Sequence, residues 1–394
     1  MPSLTNYPNA RPSLFLDFAN SRQVDPRIEF SRATTATRTN AKGVIETVAA
    51  NVPRIDYDPL TGECLGLWVE GASTNLAVQS EFSTGLPAAN GGAVTPTSFP
   101  GFAGGISFAL GAVPTYAYRS PSLPAAGTPH TLSVLLRMDD GGAPVVGSTQ
   151  APGFDLALVV AGGAGAYGGL RHLGGGLYLA WSTHNTPAST SNWGVIKHAA
   201  QSARGFKVTG YQIEASPFPT SYIPTTTAAA TRVADIPQMT GGNFSDWYRQ
   251  EQGTVIVEFG VPYLASAAYQ TALGFFEASG NGAQASVIQK DLTNKYGAYT
   301  RDAGLALQAN IYVGGVVVGG DIYRIASAYK DSDFAATMNG GAPAVDVSGA
   351  VPLATRLCIG TNGSGLSAVN GHIRRIAYYP TRLPNAQLQA LTAS

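Results

Sequence analysis

The chain is poor in charge and in cysteine. Only 12% of its 394 residues are charged, and 24 acidic side chains balance 24 basic ones. A net charge of zero gives no long-range pull on nucleic acid or an anionic membrane, which both respond to clustered Lys and Arg, so neither is expected as a partner. Cys64 and Cys358 are the only cysteines. They are expected to be two buried free thiols, which excludes a disulfide scaffold. The histidines, His130, His172, His184, His198 and His372, never fall at metal-ligand spacing near Cys or a second His, so no metal and no cofactor are expected. No apolar run approaches the ~20 residues that cross a bilayer. The opening MPSLTNYPNARPSLFLDF also lacks a basic stretch ahead of a long apolar one. The expectation is therefore synthesis in the cytoplasm and no membrane insertion.

What is abundant is turn and strand chemistry. The chain has 47 glycines and 25 prolines among many Thr, Val, Ile and Tyr residues, which predicts an all-β protein of two or three domains. Residues 1–80 hold strand candidates Ser13 to Phe18, Ile28 to Ser31, Val44 to Val48 and Leu65 to Val69. They are separated by turns at Asn40 to Gly43 and Asp58 to Gly62, and the apolar residues are too few for an independent core. A Gly/Ala/Pro-rich module follows over 81–219. Its strand candidates are Thr131 to Arg137, Phe154 to Val160, Leu177 to Trp181, Trp193 to His198 and Phe206 to Glu214. Residues 220–235 read as an extended linker, and TTAAATR ending at Arg232 echoes ATTATR ending at Arg38. Over 236–394 about nine short runs separated by turns predict a two-sheet antiparallel sandwich. A short helix with Pro384 at its start closes it, its Leu388 and Leu391 facing the sheet.

Candidate chemistry is sparse. Asp331 and Asp333 are the nearest carboxylate pair for glycan cleavage, but a turn between strands explains them as well. Calcium would need a denser Asp/Asn loop. GGAGAYGG, from Gly162 to Gly169, has dinucleotide-loop spacing without the helix that must follow, so that match is accidental. Sugar binding needs exposed rings and amides. Trp181, Trp193, Tyr296 and Tyr299 stand in polar or glycine-rich settings, and Asn362 lies in the polar loop TNGSGLSAVN. In FSRATTATRTN, Arg32 and Arg38 could bind an anion, be fixed internally by carboxylates such as Glu29 and Asp56, or line a docking surface. The expectation is hydrogen bonding to carbonyls and carboxylates of a neighbouring module or subunit, an assembly interface.

Two stretches carry resemblances. Gly371, Ile373, Ile376, Tyr378, Leu383, Leu388 and Leu391 in GHIRRIAYYPTRLPNAQLQAL resemble the closing strand and helix of concanavalin A-like, laminin-G or pentraxin-type sandwiches. Phe30, Ser31, Arg32, Ala33, Thr37, Arg38, Gly43, Arg54, Tyr57, Pro59, Gly62, Thr74, Asn75 and Leu76 match a segment similar to one in bacteriophage tail-fibre and other virion-surface proteins. GYQIEASPFPTSYIPTT is similar to the junction that follows a carbohydrate-binding-module-like jelly roll in such proteins. Gly71 and Ser73 depart from that pattern, which often has a carboxylate and an arginine there.

The resemblance implies a non-enzymatic virion-surface protein, a tail fibre or spike. It would have an attachment section, a jelly-roll-like middle and a concanavalin A-like lectin sandwich binding host-surface polysaccharide for adsorption. A homotrimer among other virion proteins is expected. The alternatives are a capsule or lipopolysaccharide depolymerase and a purely structural connector or decoration protein.

Overall fold

The computed structural model describes residues 11–83, 88–91, 94–108, 115–123, 128–147, 153–160, 165–184, 192–197, 204–265, 268–277 and 284–393. His198, Gly162 to Ala164 and the first ten residues lie outside these. The architecture is almost entirely β-stranded, and its main sheets form two sandwiches.

In the C-terminal sandwich, a seven-stranded sheet runs Glu29–Ser31, Ile236–Thr240, Arg356–Ile359, Gln270–Phe276, Gln284–Lys290, Tyr296–Arg301, Leu307–Tyr312. It faces an eight-stranded sheet centred on Gln252–Gly260, Ile322–Lys330 and Gly371–Tyr379. Alternation builds the core between them: Val255, Val257 and Phe259 point inward against Leu273, Phe275, Ile288 and Ile311. On the opposite face Ile256 lies among Ala326, Ala328, Ala335 and Ala377, whose small side chains make room for the helix Asn385–Thr392. Leu388 is fully buried there and Leu391 partly.

The first section of the chain completes this sandwich. Leu14–Asp17 pairs with the far half of Gly371–Tyr379, from Leu14 opposite Tyr378 to Asp17 opposite Arg375. Cys64–Val69 pairs with its near half, Val69 opposite Gly371 and Leu67 opposite Ile373, and Arg54–Tyr57 continues the sheet beyond it. Gly66 is required at this seam, since its φ of +110° is left-handed and a Cβ would strike the Ile373 carbonyl.

The middle sandwich packs a six-stranded sheet against a five-stranded one, with His130–Met138 and Phe206–Glu214 central in the first and Trp193–Lys197 in the second. Leu132, Val134 and Leu136 face its core with Leu158, Val195 and Phe206. The intervening Leu135 faces out with Phe99, Leu173 and Leu177, and Ile45 of the hairpin Ala36–Thr39/Ile45–Val48 covers them. Residues 14–75 thus touch both sandwiches. Buried Asn75 locks the junction, its amide donating to the carbonyls of Tyr211 and Ile223 and its oxygen accepting from the amides of Ala77 and Ile213.

Residues 220–235, expected as an extended linker, lie packed down, with Tyr222, Ile223, Thr225, Arg232 and Asp235 buried. Ala230–Arg232 pairs with Ser73–Asn75, and Gln212 accepts from the Ile223 amide. Backbone pairing to distant strands, invisible in local composition, holds the segment down.

Candidate functional site

The outer face of the seven-stranded sheet carries an open groove of about 560 Å³. Strand register assembles it. Tyr299 stands between Val287 and Asn310, and Gly297 between Gln289 and Tyr312. Gly297 must lack a side chain, because a Cβ would lie 2.9 Å from the Ile311 carbonyl oxygen and 3.4 Å from the Tyr312 ring. Tyr269 and Tyr312 are 48% and 50% exposed, so with Tyr299 three rings border one concavity. The Arg301 guanidinium lies 5.5 Å from the centre of the Tyr299 ring and donates to the Leu305 carbonyl at 3.0 Å. Burial pushes the Tyr299 hydroxyl up to about 12, with Arg301 opposing. Burial also works against ionised Asp291, yet bonds from the Lys295 and Thr293 amides, the Thr293 hydroxyl and the Tyr312 hydroxyl hold its carboxyl below the usual range. Asn310 is exposed and Gln289 donates to the Thr271 hydroxyl at 2.7 Å. Aromatic faces, amides, a guanidinium and a carboxylate on one rigid strand surface are the chemistry a pyranose requires.

Of the residues expected to bind sugar, the structure places only Tyr299 in this groove. Tyr296 is 0% exposed, edge-on to Phe259 at 5.0 Å in the core. Trp193 is likewise 0% exposed, against His184. Neither presents a face to a ligand, because strand alternation turns both inward. The Asn362 oxygen accepts from the amide and hydroxyl of Ser364, closing its own turn. Trp181 borders a different cleft, between the sandwiches. Tyr269 and Tyr312 were missed. Tyr312 was within reach, since in LQANIYV the apolar alternation of Ala309, Ile311 and Val313 leaves Asn310 and Tyr312 on the other face.

Asp331 and Asp333 flank Ser332, whose φ is +56°. Asp331 accepts from the Val351 amide and Asp333 pairs with Arg382, so the carboxylate pair forms a turn. Both cysteines are free and buried. Among the described residues no group of three or more His, Cys, Asp or Glu is placed to hold a metal ion. No helix there is long and apolar enough to cross a membrane.

The two arginines of FSRATTATRTN have different fates. Arg32 is sealed in a network within the chain. It pairs with Asp235 at 2.9 Å and donates to the carbonyls of Thr34, Ala49 and Val52. Asp235 also binds Arg54 at 2.5 Å, Arg54 reaches Glu70 at 2.8 Å, and Arg232 stands 3.5 Å from Glu70. These five side chains are at most 2% exposed. Burial opposes charge on Glu70, but Arg232, Arg54 and two bonds from Ser221 outweigh it and hold the carboxyl down at about 2. Arg38 instead pairs with Glu46 on its own hairpin, at 29% and 37% side-chain exposure. The Ser73 hydroxyl donates to Glu214 at 2.6 Å, and burial raises that carboxyl despite its hydrogen bonds.

No protein-family model and no curated protein sequence matches the chain. Solved structures match parts of it. The CBM40 of the Ruminococcus gnavus IT-sialidase, bound to alpha2,3 sialyllactose, aligns at 17% identity over 37% of this chain and 84% of that one, with a TM-score of 0.31. The NanB sialidase of Streptococcus pneumoniae aligns at 16% over 39% of this chain and 26% of its own, at 0.33. The SAP-like pentraxin of Limulus polyphemus gives 12%, 36%, 70% and 0.29 in the same order. What they share with this chain is a β-sandwich. The expectation of a non-enzymatic chain does not stand, because NanB and the Trypanosoma rangeli sialidase are among these matches.

Proposed function

We propose that this is a carbohydrate-recognition protein whose C-terminal sandwich holds a polysaccharide segment in the groove of Tyr269, Tyr299 and Tyr312. The observation that carries this reading is the meeting of three tyrosine rings with Asn310, Gln289, Asp291 and Arg301 on one open sheet face. The rings would cover the apolar faces of pyranoses, and the amides and charged groups would bond their hydroxyls. The likeness of the Phe30 to Leu76 segment to tail-fibre proteins supports placing the protein on the surface of a phage or phage-like particle. There, several copies in a homotrimer would raise the avidity of a weak site.

The test is calorimetric titration of the full chain with capsule or O-antigen fragments from candidate hosts. Tyr299→Ala with Tyr312→Ala should weaken binding about tenfold or more, at least ~1.4 kcal/mol, without changing the fold. Unchanged affinity in that double variant would refute the groove. New reducing ends in the same incubation would favour the depolymerase alternative. Absence of binding to any fragment would favour the connector.

A further inference from the structure

The glycine pair at the end of GGAGAYGG has a use that lies outside the groove. Gly169 is the cross-strand partner of Trp181, just past a register shift between Tyr167 and Gly169. A Cβ at Gly168 would overlap the Trp181 indole, and one at Gly169 would lie 2.5 Å from Cζ2. The indole therefore lies directly on glycine backbone. It shares the outer face of the six-stranded sheet with Leu179, opposite Ser133 and Leu135 of the neighbouring strand. From there it meets the Tyr263 ring of the other sandwich edge-on, centroids 5.4 Å apart, and Phe218 stacks on that ring at 5.7 Å.

Trp181 and Tyr263 border a cleft of about 330 Å³ between the sandwiches, at the lower end of the roughly 300–1,000 Å³ of small-molecule sites. Leu65, Val261, Pro262 and Ile322 also line it, and its polar groups are held in place. Arg374 is anchored by Glu63 at 2.8 Å and Glu258 at 3.0 Å. The Asp58 Oδ1 atom accepts from the Leu60 and Thr61 amides and the Thr61 hydroxyl, which fixes the carboxylate at the rim. Arg171 stands close enough to favour ionised Asp58 and to oppose the burial that raises the Tyr263 hydroxyl. Asp321 is exposed at the opposite wall.

We propose that this cleft is a second saccharide site, taking one or two units of a neutral pyranoside. The Trp181 ring would lie against the sugar, and Arg171, Asp58 and Asp321 would bond its hydroxyls. Neutrality follows from the charges. Two carboxylates, Asp58 and Asp321, border the cleft, and Arg374 already serves Glu63 and Glu258, which leaves Arg171 as the one cation against both, so a sugar acid meets net repulsion. The proposal shares the carbohydrate reading of the groove but none of its residues.

The experiment is saturation-transfer NMR on the full chain with methyl pyranosides of glucose, galactose, mannose and N-acetylglucosamine, with galacturonate as the charged comparator. At least one neutral glycoside should bind, galacturonate more weakly. Trp181→Ala should reduce that affinity about tenfold, whereas Tyr299→Ala with Tyr312→Ala should leave it unchanged. Asp321→Ala, at an exposed position, serves as the second variant and should weaken binding severalfold with unaltered melting. No binding by any neutral glycoside, tighter binding of galacturonate, or loss confined to the groove variant would overturn the proposal. Failure of the groove alone would show as polysaccharide binding that Trp181→Ala abolishes and the tyrosine variants do not affect.

Discussion

Asp235→Ala should be among the most damaging single substitutions in the chain. Its carboxylate accepts from Arg32 Nη1 at 2.9 Å, Arg54 Nη2 at 2.5 Å and the Glu70 amide at 2.9 Å, with no solvent exposure. Removing it leaves the buried Arg32 guanidinium without its carboxylate and Arg54 with Glu70 alone, at 2.8 Å. Breaking a buried pair in this way costs ~3–5 kcal/mol, a large share of the ~5–15 kcal/mol that holds a typical domain folded. At roughly 2–4 °C per kcal/mol, melting should fall by ~6–20 °C, and urea midpoints should fall with it. Circular dichroism of the full chain during heating and urea titration measures both. Asp235→Asn keeps the shape and one acceptor, so it should lose less. Arg38→Ala removes only a half-exposed pair and should cost no more than ~1 kcal/mol. A drop of under about 2 °C for Asp235→Ala, or equal drops for Arg32→Ala and Arg38→Ala, would refute the view that this network is a structural centre.

Acid stability should track Glu70. Its carboxyl titrates at about 2 in the fold against an ordinary 4.5, so the unfolded chain takes up the proton first. Its stabilisation is complete above pH 4.5 and is lost as pH falls towards 2. Glu70→Gln should therefore flatten the stability profile across that window, and an unchanged acid limb would count against the assignment. A fragment of residues 236–394 should not fold as a stable monomer, because both halves of one edge of Gly371–Tyr379 are paired by Leu14–Asp17 and Cys64–Val69. Size-exclusion chromatography and amide exchange would reveal aggregation or an unprotected strand, and a well-protected monomer would contradict this. Gly297→Val should lower melting as well as glycan binding, because its Cβ would meet the Ile311 carbonyl oxygen at 2.9 Å as well as the Tyr312 ring at 3.4 Å, and unchanged melting by circular dichroism would contradict that crowding.

Much of the C-terminal fold could be read directly. Runs such as GTVIVEFGV and GHIRRIAYY carry their strands in their own alternation, and Pro384 marks the start of the closing helix. The destinations of the first strands could not be read, because nothing within Leu14–Asp17 names a partner more than 350 residues away. Arg32 and Arg38 are expected at an interface with a neighbouring module or subunit, whereas Arg32 meets Asp235 and carbonyls of its own section and Arg38 meets Glu46 of its own hairpin. At the groove the error was local. Tyr296 and Tyr299 are three apart on one strand, so they face opposite ways, and only one could ever meet a sugar. Gly168 and Gly169 fit no dinucleotide loop, and the cross-strand indole of Trp181 explains them.

The pairing of Leu14–Asp17 with Gly371–Tyr379 also sets a clock on synthesis. Ribosomes add about 5–20 residues each second, so the first strand waits roughly 20–70 s after emerging before its partner exists. Throughout that interval Leu14 and Leu16, buried in the finished protein, have no partner strand and Cys64–Val69 has only Arg54–Tyr57 beside it, while the middle sandwich gains its last strand at Glu214 and can fold. Closure of the C-terminal sandwich is thus a late event of high contact order. Nascent chains stalled before residue 371 should show a protease-resistant middle and a cleavable beginning, and early protection of both would argue against this order.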